Sequence, residues 1–237
     1  MQDFLHGTMI VGLYYLIAAS AAFACRLMIR IPDELFRKTL HFIFLGSYPF
    51  YLFSFIHWWN PILLALLLEV VIYPAFMLFG RLEGFTEFTT ERKKGELKNS
   101  LLLAFTMLSA AIALCWGWLD DKLLVLACMY AWGVGDAFAA LIGKRFGRHK
   151  LKWKRVDPKK SVEGSLAMFF TSWASVTAVL LCRGGLSTAG CVFIAAAGAG
   201  VCTLVELYTP NGLDTVTCPT AALCTILPLM ALVGGLA

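Results

Sequence analysis

The sequence predicts an all-α protein, a polytopic bundle of about eight transmembrane helices, and three observations carry that prediction. Charged residues make up only 15% of the 237 positions and apolar ones 59%. A soluble domain of this size carries about 25% charged residues, so lipid must replace water over much of the surface. Eight apolar runs approach the roughly 20 residues that a helix needs to cross the hydrocarbon core. The basic residues also fall into alternate connections between those runs, as the positive-inside rule requires of a multi-span chain.

Taken in order, the runs lie at about 8–29, 38–56, 61–79, 99–118, 122–143, 164–182, 187–207 and 218–236. Met1 to Thr8 holds no Lys or Arg, so the first run lacks the basic start of a cleaved signal peptide and reads as a retained helix. The second begins at Lys38 and carries His41, which leaves a seven-span count open; Pro32, Asp33 and Glu34 before it read as a helix start. The third holds Glu69, an acid that needs a partner at membrane depth. The fifth holds Asp136 and the seventh ends on Glu206. Pro219 fits the first turn of the eighth. No linker or repeat divides the chain, so residues 1–237 read as one integral membrane domain.

Arg26, Arg30, Arg37 and Lys38 follow the first run. Arg81, Arg92, Lys93, Lys94 and Lys98 follow the third. Nine more, from Lys144 to Lys160, follow the fifth. Together these are 18 of the 20 Lys and Arg; only Lys122 and Arg183 fall in the other connections. Eight spans with both termini outside put all 18 on the cytoplasmic face. The expected location is thus a bacterial inner membrane or an endoplasmic reticulum or plastid-type membrane, with charged chemistry on the cytoplasmic side. No nucleic-acid partner is expected, and the sequence does not set an oligomeric state.

Several polar groups stand against this apolar frame. Asp136 lies about 12 Å along its helix from Lys144. Placing an acid mid-span costs about 2.5–3.5 kcal/mol, which favours a partner, a metal or a water-filled cavity. Gly135, Ala139, Gly143 and Gly147 recur every four residues, a face that lets another helix approach closely. The Lys144–Lys160 connection is either an anchor against anionic lipid or a phosphate site. Pro158 to Ser165 fits the second better, because a helix N-terminus attracts phosphate, Lys159 and Lys160 add charge, and Glu163 could help hold a divalent cation. Glu206 to Pro219 contains the tight turn Pro210-Asn211-Gly212 and then Asp214. Arg37 and His41 share one helix face with Lys38 alongside; His41 is either a base for a hydroxyl or a structural hydrogen-bonding group. Glu91 to Glu96 is a charged loop with two open readings, solvated or functional.

Other classes fit less well. Gly133 to Phe138 resembles a dinucleotide fingerprint only superficially, since it sits in a span, and no P-loop motif is present. None of the eight Cys forms a C-x-x-C pair; they read as small packing residues, with no zinc site or disulfide framework. A transporter or a non-catalytic lipid-binding protein would also carry intramembrane acids. The polar groups here collect at one face, and no repeat symmetry is evident.

Four segments in one order resemble a known family. They are R-K-x-x-H at Arg37–His41, the loop Glu91–Glu96, G-D-x-x-A-x-x-x-G-K-x-x-G at Gly135–Gly147 with K-S-x-E-G-S at Lys160–Ser165, and E…P-x-G-L-D at Glu206–Asp214. The set is similar to that of dolichol kinase, phytol kinase and CTP-dependent diacylglycerol kinase, and spans about residues 37–219. After G-L-D that family often continues with Asp or Asn; this chain has Thr215-Val216-Thr217. CDP-diacylglycerol synthase resembles it over Gly143–Gly164 as well, but its longer carboxy-terminal acidic run is missing here.

The resemblance implies transfer of the γ-phosphate of CTP to a membrane-embedded polyprenol, phytol-type prenol, dolichol or diacylglycerol, with Mg²⁺ as cofactor. It implies catalytic roles for Asp136, Glu163, Glu206, Asp214 and His41. Lys144, Lys159, Lys160, Ser161, Gly164, Arg37 and Lys38 would bind nucleotide, and Asp136, Glu163 and Asp214 would hold the metal. Such a site needs mainly positioning and charge neutralisation.

Overall fold

The computed structural model describes residues 1–29, 31–79, 96–154, 156–209 and 212–235. Arg30, Arg81, Arg155, Pro210, Asn211 and the loop from Glu91 to Gly95 lie outside the described residues, as does the side chain of Glu96. Eight helices account for the described fold: α1 (Gln2–Met28), α2 (Asp33–Phe53), α3 (Trp59–Phe79), α4 (Glu96–Ala111, continued by a π-helical stretch Ile112–Trp118), α5 (Lys122–Phe146), α6 (Val162–Arg183), α7 (Thr188–Tyr208) and α8 (Asp214–Leu232). No strand occurs among the described residues; Lys150 and Ser161 form one isolated bridge.

Among the described residues, six stretches are long and apolar enough to cross a membrane: α1, Lys98–Trp118, and α5 to α8. Trp59–Pro74 in α3 is a shorter apolar helix. The exception is α2, whose first turns hold Asp33, Glu34, Arg37 and Lys38. The chain is therefore a multi-pass helical membrane protein, as its low charge predicts.

The described chain forms two compact units, Met1–Gly117 and Trp118–Ala237. In the first, α1 packs on α2 and α3, and α3 on α4. The first helix begins six residues before the apolar run does, and the reason is tertiary. The Asp3 carboxylate accepts from Ile56 N at 3.0 Å and from Asn60 Nδ2 at 2.6 Å, which ties the start of α1 to the α2–α3 turn. Glu69 takes the hydroxyl of Thr106 on α4 at 2.9 Å; this is the partner its depth demanded.

In the second unit α5 packs on α6 and α8, α6 on α7, and α7 on α8, closing a ring of four helices. The expected small-residue face of α5 meets α6. A Cβ added at Gly135 would lie 2.2 Å from Ser172 Oγ, and one at Gly164 would lie 3.1 Å from Ala139 O. Ser172 Oγ, fully buried, donates across the seam to Ala131 O at 2.6 Å. The eight Cys are free thiols and five of them are buried, in keeping with packing.

One end of this unit is fastened by an ion pair. Arg183 at the end of α6 donates from Nε to Asp121 Oδ2, while Asp121 Oδ1 caps α5 by accepting from Leu124 N at 2.9 Å. Both side chains are mostly buried, 15% and 11% exposed. Asp121→Ala strips the cap, worth about 1 kcal/mol, and strands a guanidinium. We expect it to lower the melting temperature of detergent-solubilised protein more than Arg183→Met with Asp121→Asn combined. Equal melting of the two variants would remove the pair from the stability of this end.

Candidate active site

The up-and-down course of α5 to α8 brings the second half of α5, the residues leading into α6, the end of α7 and the start of α8 to the other end of the unit. Asp136, Lys160, Glu206 and Asp214 each sit on one of these pieces. Lys160 Nζ lies 2.8 Å from Glu206 Oε1 and also donates to the Glu206 backbone carbonyl. One ammonium thus neutralises a carboxylate and adds a second donor to a carbonyl in the last turn of α7 that already accepts from Thr209 N at 3.3 Å, at a helix end where cations are favoured. Both side chains are largely shielded, 20% and 14% exposed. Asp136 and Asp214 are within electrostatic reach of Glu206.

Asp214 is not in a loop. It opens α8, which begins four residues ahead of the apolar run, with Val216 N and Thr217 N accepted by Leu213 O at 3.0 and 2.9 Å. Pro219 therefore lies inside the helix rather than in its first turn. The turn before it uses Gly212 at φ 78°, a backbone angle that glycine adopts without strain. Thr209 and Thr217 hydroxyls meet at 3.0 Å across the α7–α8 junction. On the same two helices, Cys202 Sγ and Cys218 Sγ contact each other's backbone carbonyls at 3.6 and 3.7 Å.

Two residues that sequence reading passed over hold this end together. Trp132, 3% exposed, points its indole Nε1–H at Asp214 Oδ2 at 3.4 Å. It lies one turn before Asp136 on α5, and that i, i+4 spacing was the signal available. His149 binds Glu163 with its backbone N at 3.2 Å and its ring Nδ1 at 2.6 Å; within a run of basic residues it had looked like part of a charged surface.

Ser161 and Gly164 have structural duties. Ser161, 2% exposed, caps α6 by accepting from Gly164 N at 3.2 Å, the usual role of a serine just before a helix. Gly164 fills the tight approach to α5. Lys144 and Lys159 are exposed at this same end. Arg37, Lys38 and His41 belong to the first unit, on α2. Arg37 pairs with Glu34 at 2.5 Å, Lys38 is 7% exposed, and His41 is half-buried with its ring edge-on to Phe42.

Among the described residues, no three His, Cys, Asp or Glu side chains are spaced as a ready-made metal cage. Of the expected metal ligands Asp136, Glu163 and Asp214, Glu163 is held by His149. Mg²⁺ does not need a full protein cage; it uses one or two carboxylates with phosphate oxygens and water. Asp136 and Asp214, hard oxygen donors on the adjoining helices α5 and α8, fit that demand.

A model of the Cytidylyltransferase family matches residues 4–237. No curated protein and no solved structure matches the chain.

Proposed function

The chain belongs to the cytidylyltransferase family, which includes CTP-dependent lipid kinases such as dolichol kinase and diacylglycerol kinase, and from that premise we propose that it transfers the γ-phosphate of CTP to a lipid alcohol. The observation that supports this reading is the Lys160–Glu206 pair with Asp136 and Asp214 beside it, at the end of a helical unit that also carries exposed Lys144 and Lys159. Carboxylates for a metal, lysines for phosphates and membrane spans for a lipid are what phosphoryl transfer to a buried alcohol requires.

In this reading Lys144 and Lys159 meet the CTP phosphates. Lys160 stays on Glu206 and holds α6 and α7 in register beside them. Trp132 fixes the Asp214 carboxylate. The lipid hydroxyl attacks the γ-phosphorus, a new O–P bond forms and the β–γ bridging bond breaks. The hydroxyl proton passes to the Asp136 carboxylate, and CDP leaves. Mg²⁺ held through Asp214 would neutralise charge on the β- and γ-phosphates. The segregation of basic residues supports a cytoplasmic site.

The second reading is a phosphatidate cytidylyltransferase, favoured by the K-K-S-x-E-G segment. It is disfavoured by the start of α8. After Asp214 come buried Thr215, then Val216, then Thr217, which is engaged with Thr209; no second carboxylate is offered there.

Transfer from labelled CTP separates them. With γ-labelled CTP, Mg²⁺ and a panel of prenols, dolichol and diacylglycerol, we expect a labelled lipid monophosphate that disappears on chelation. CDP-lipid from phosphatidic acid and α-labelled CTP would instead establish the second reading. Neither product from well-folded protein would defeat both and leave a transporter or lipid-binding role.

A further inference from the structure

We propose that the arm from Arg148 to Lys154, between α5 and α6, is a docking surface for the anionic phospholipid headgroups of the bilayer around the protein. This inference does not depend on the reaction assigned above.

The connection is a built element. Leu151 N donates to Lys160 O at 3.1 Å and Val162 N to His149 O at 2.9 Å, which pairs its two limbs around the Lys150–Ser161 bridge. Lys150 Nζ reaches Lys159 O at 3.1 Å, and Glu163 holds His149. Val156, 7% exposed, plugs the base. What this frame presents outward is one chemistry. Arg148, Lys150, Lys152 and Lys154 are exposed, and Trp153 among them is 55% exposed, as is Phe146 just before.

The charge is one-sided. From Lys144 to Lys160 the sequence has nine basic residues and a single acid, Asp157, whose Oδ1 accepts from Lys159 N at 2.9 Å. Both limbs enter helices able to cross a membrane, so the arm stands at the bilayer surface. Exposed Trp flanked by Lys is the composition of a membrane interface. Each Lys or Arg there strengthens attachment to an anionic surface about fivefold. A headgroup layer offers phosphate and an apolar margin side by side, which suits an exposed indole between lysines.

The test is amide hydrogen exchange of the full chain in nanodiscs of phosphatidylcholine, with or without phosphatidylglycerol. We expect the arm's amides to exchange about tenfold more slowly in the anionic discs, and the difference to vanish in high salt, which screens exposed charges. Lys152→Gln with Lys154→Gln and Trp153→Ser should abolish the difference while α5 to α8 stay protected. Equal exchange of the wild-type arm in the two discs would overturn the proposal without needing any variant. So would protection that follows added CTP rather than lipid charge, which would give the arm to the nucleotide.

Discussion

Asp136→Asn is expected to lower CTP-dependent transfer about a thousandfold or more, the scale of losing a positioned base, while leaving the protein inserted and folded. The substitution keeps the size of the side chain and removes only its charge and basicity. Asp136 is half-buried on α5, one turn from Trp132 and within electrostatic reach of Glu206, so an amide can occupy the same space. The check is initial rate with γ-labelled CTP in reconstituted membranes, beside the melting temperature. Transfer within a fewfold of wild type would take Asp136 out of the chemistry. Loss of melting cooperativity together with activity would make it a structural residue.

Lys160→Met should be the most damaging single change to this end of the second unit. It leaves Glu206, only 14% exposed, without its ammonium and next to two further acids. Removing one partner of a buried pair costs about 3–5 kcal/mol, and the residual exposure here lowers that to about 2–4 kcal/mol. The same change takes one of two donors from the Glu206 carbonyl at the end of α7, leaving Thr209 N. Adding Glu206→Gln removes the stranded charge, so the double variant should regain most of the lost stability. It should not regain transfer if this pair sets the register of the phosphate-binding end. Full recovery of both would reduce the pair to a structural clasp, and no recovery of stability would mean that the two side chains act independently.

Much of the fold follows from the sequence by itself. A chain with 15% charged residues and eight long apolar runs has few ways to satisfy its backbone other than spanning helices, because no water is present to do so in hydrocarbon. The cap at Ser161, the close-packing face of Gly135, Ala139, Gly143 and Gly147, and the isolation of Asp136, Glu206 and Asp214 as costly acids were all legible for that reason. These are local signals, set within one or two helical turns.

What tertiary structure alone decided is who meets whom. Lys160 and Glu206 are 46 positions apart and Trp132 and Asp214 are 82 apart; no periodicity connects them. Their meeting depends on the stacking order of α5 to α8. Packing within each unit explains the corrections. The first helix starts early because Asp3 finds Asn60, 57 positions on. The last starts early because Thr217 meets Thr209 at the junction of α7 and α8 and Asp214 meets Trp132 of α5, partners that an apolar-run count cannot see. That Glu163 meets His149 is likewise set by the arm folding back onto the start of α6. Local chemistry names the groups that are expensive to bury; only packing shows which of them relieve one another.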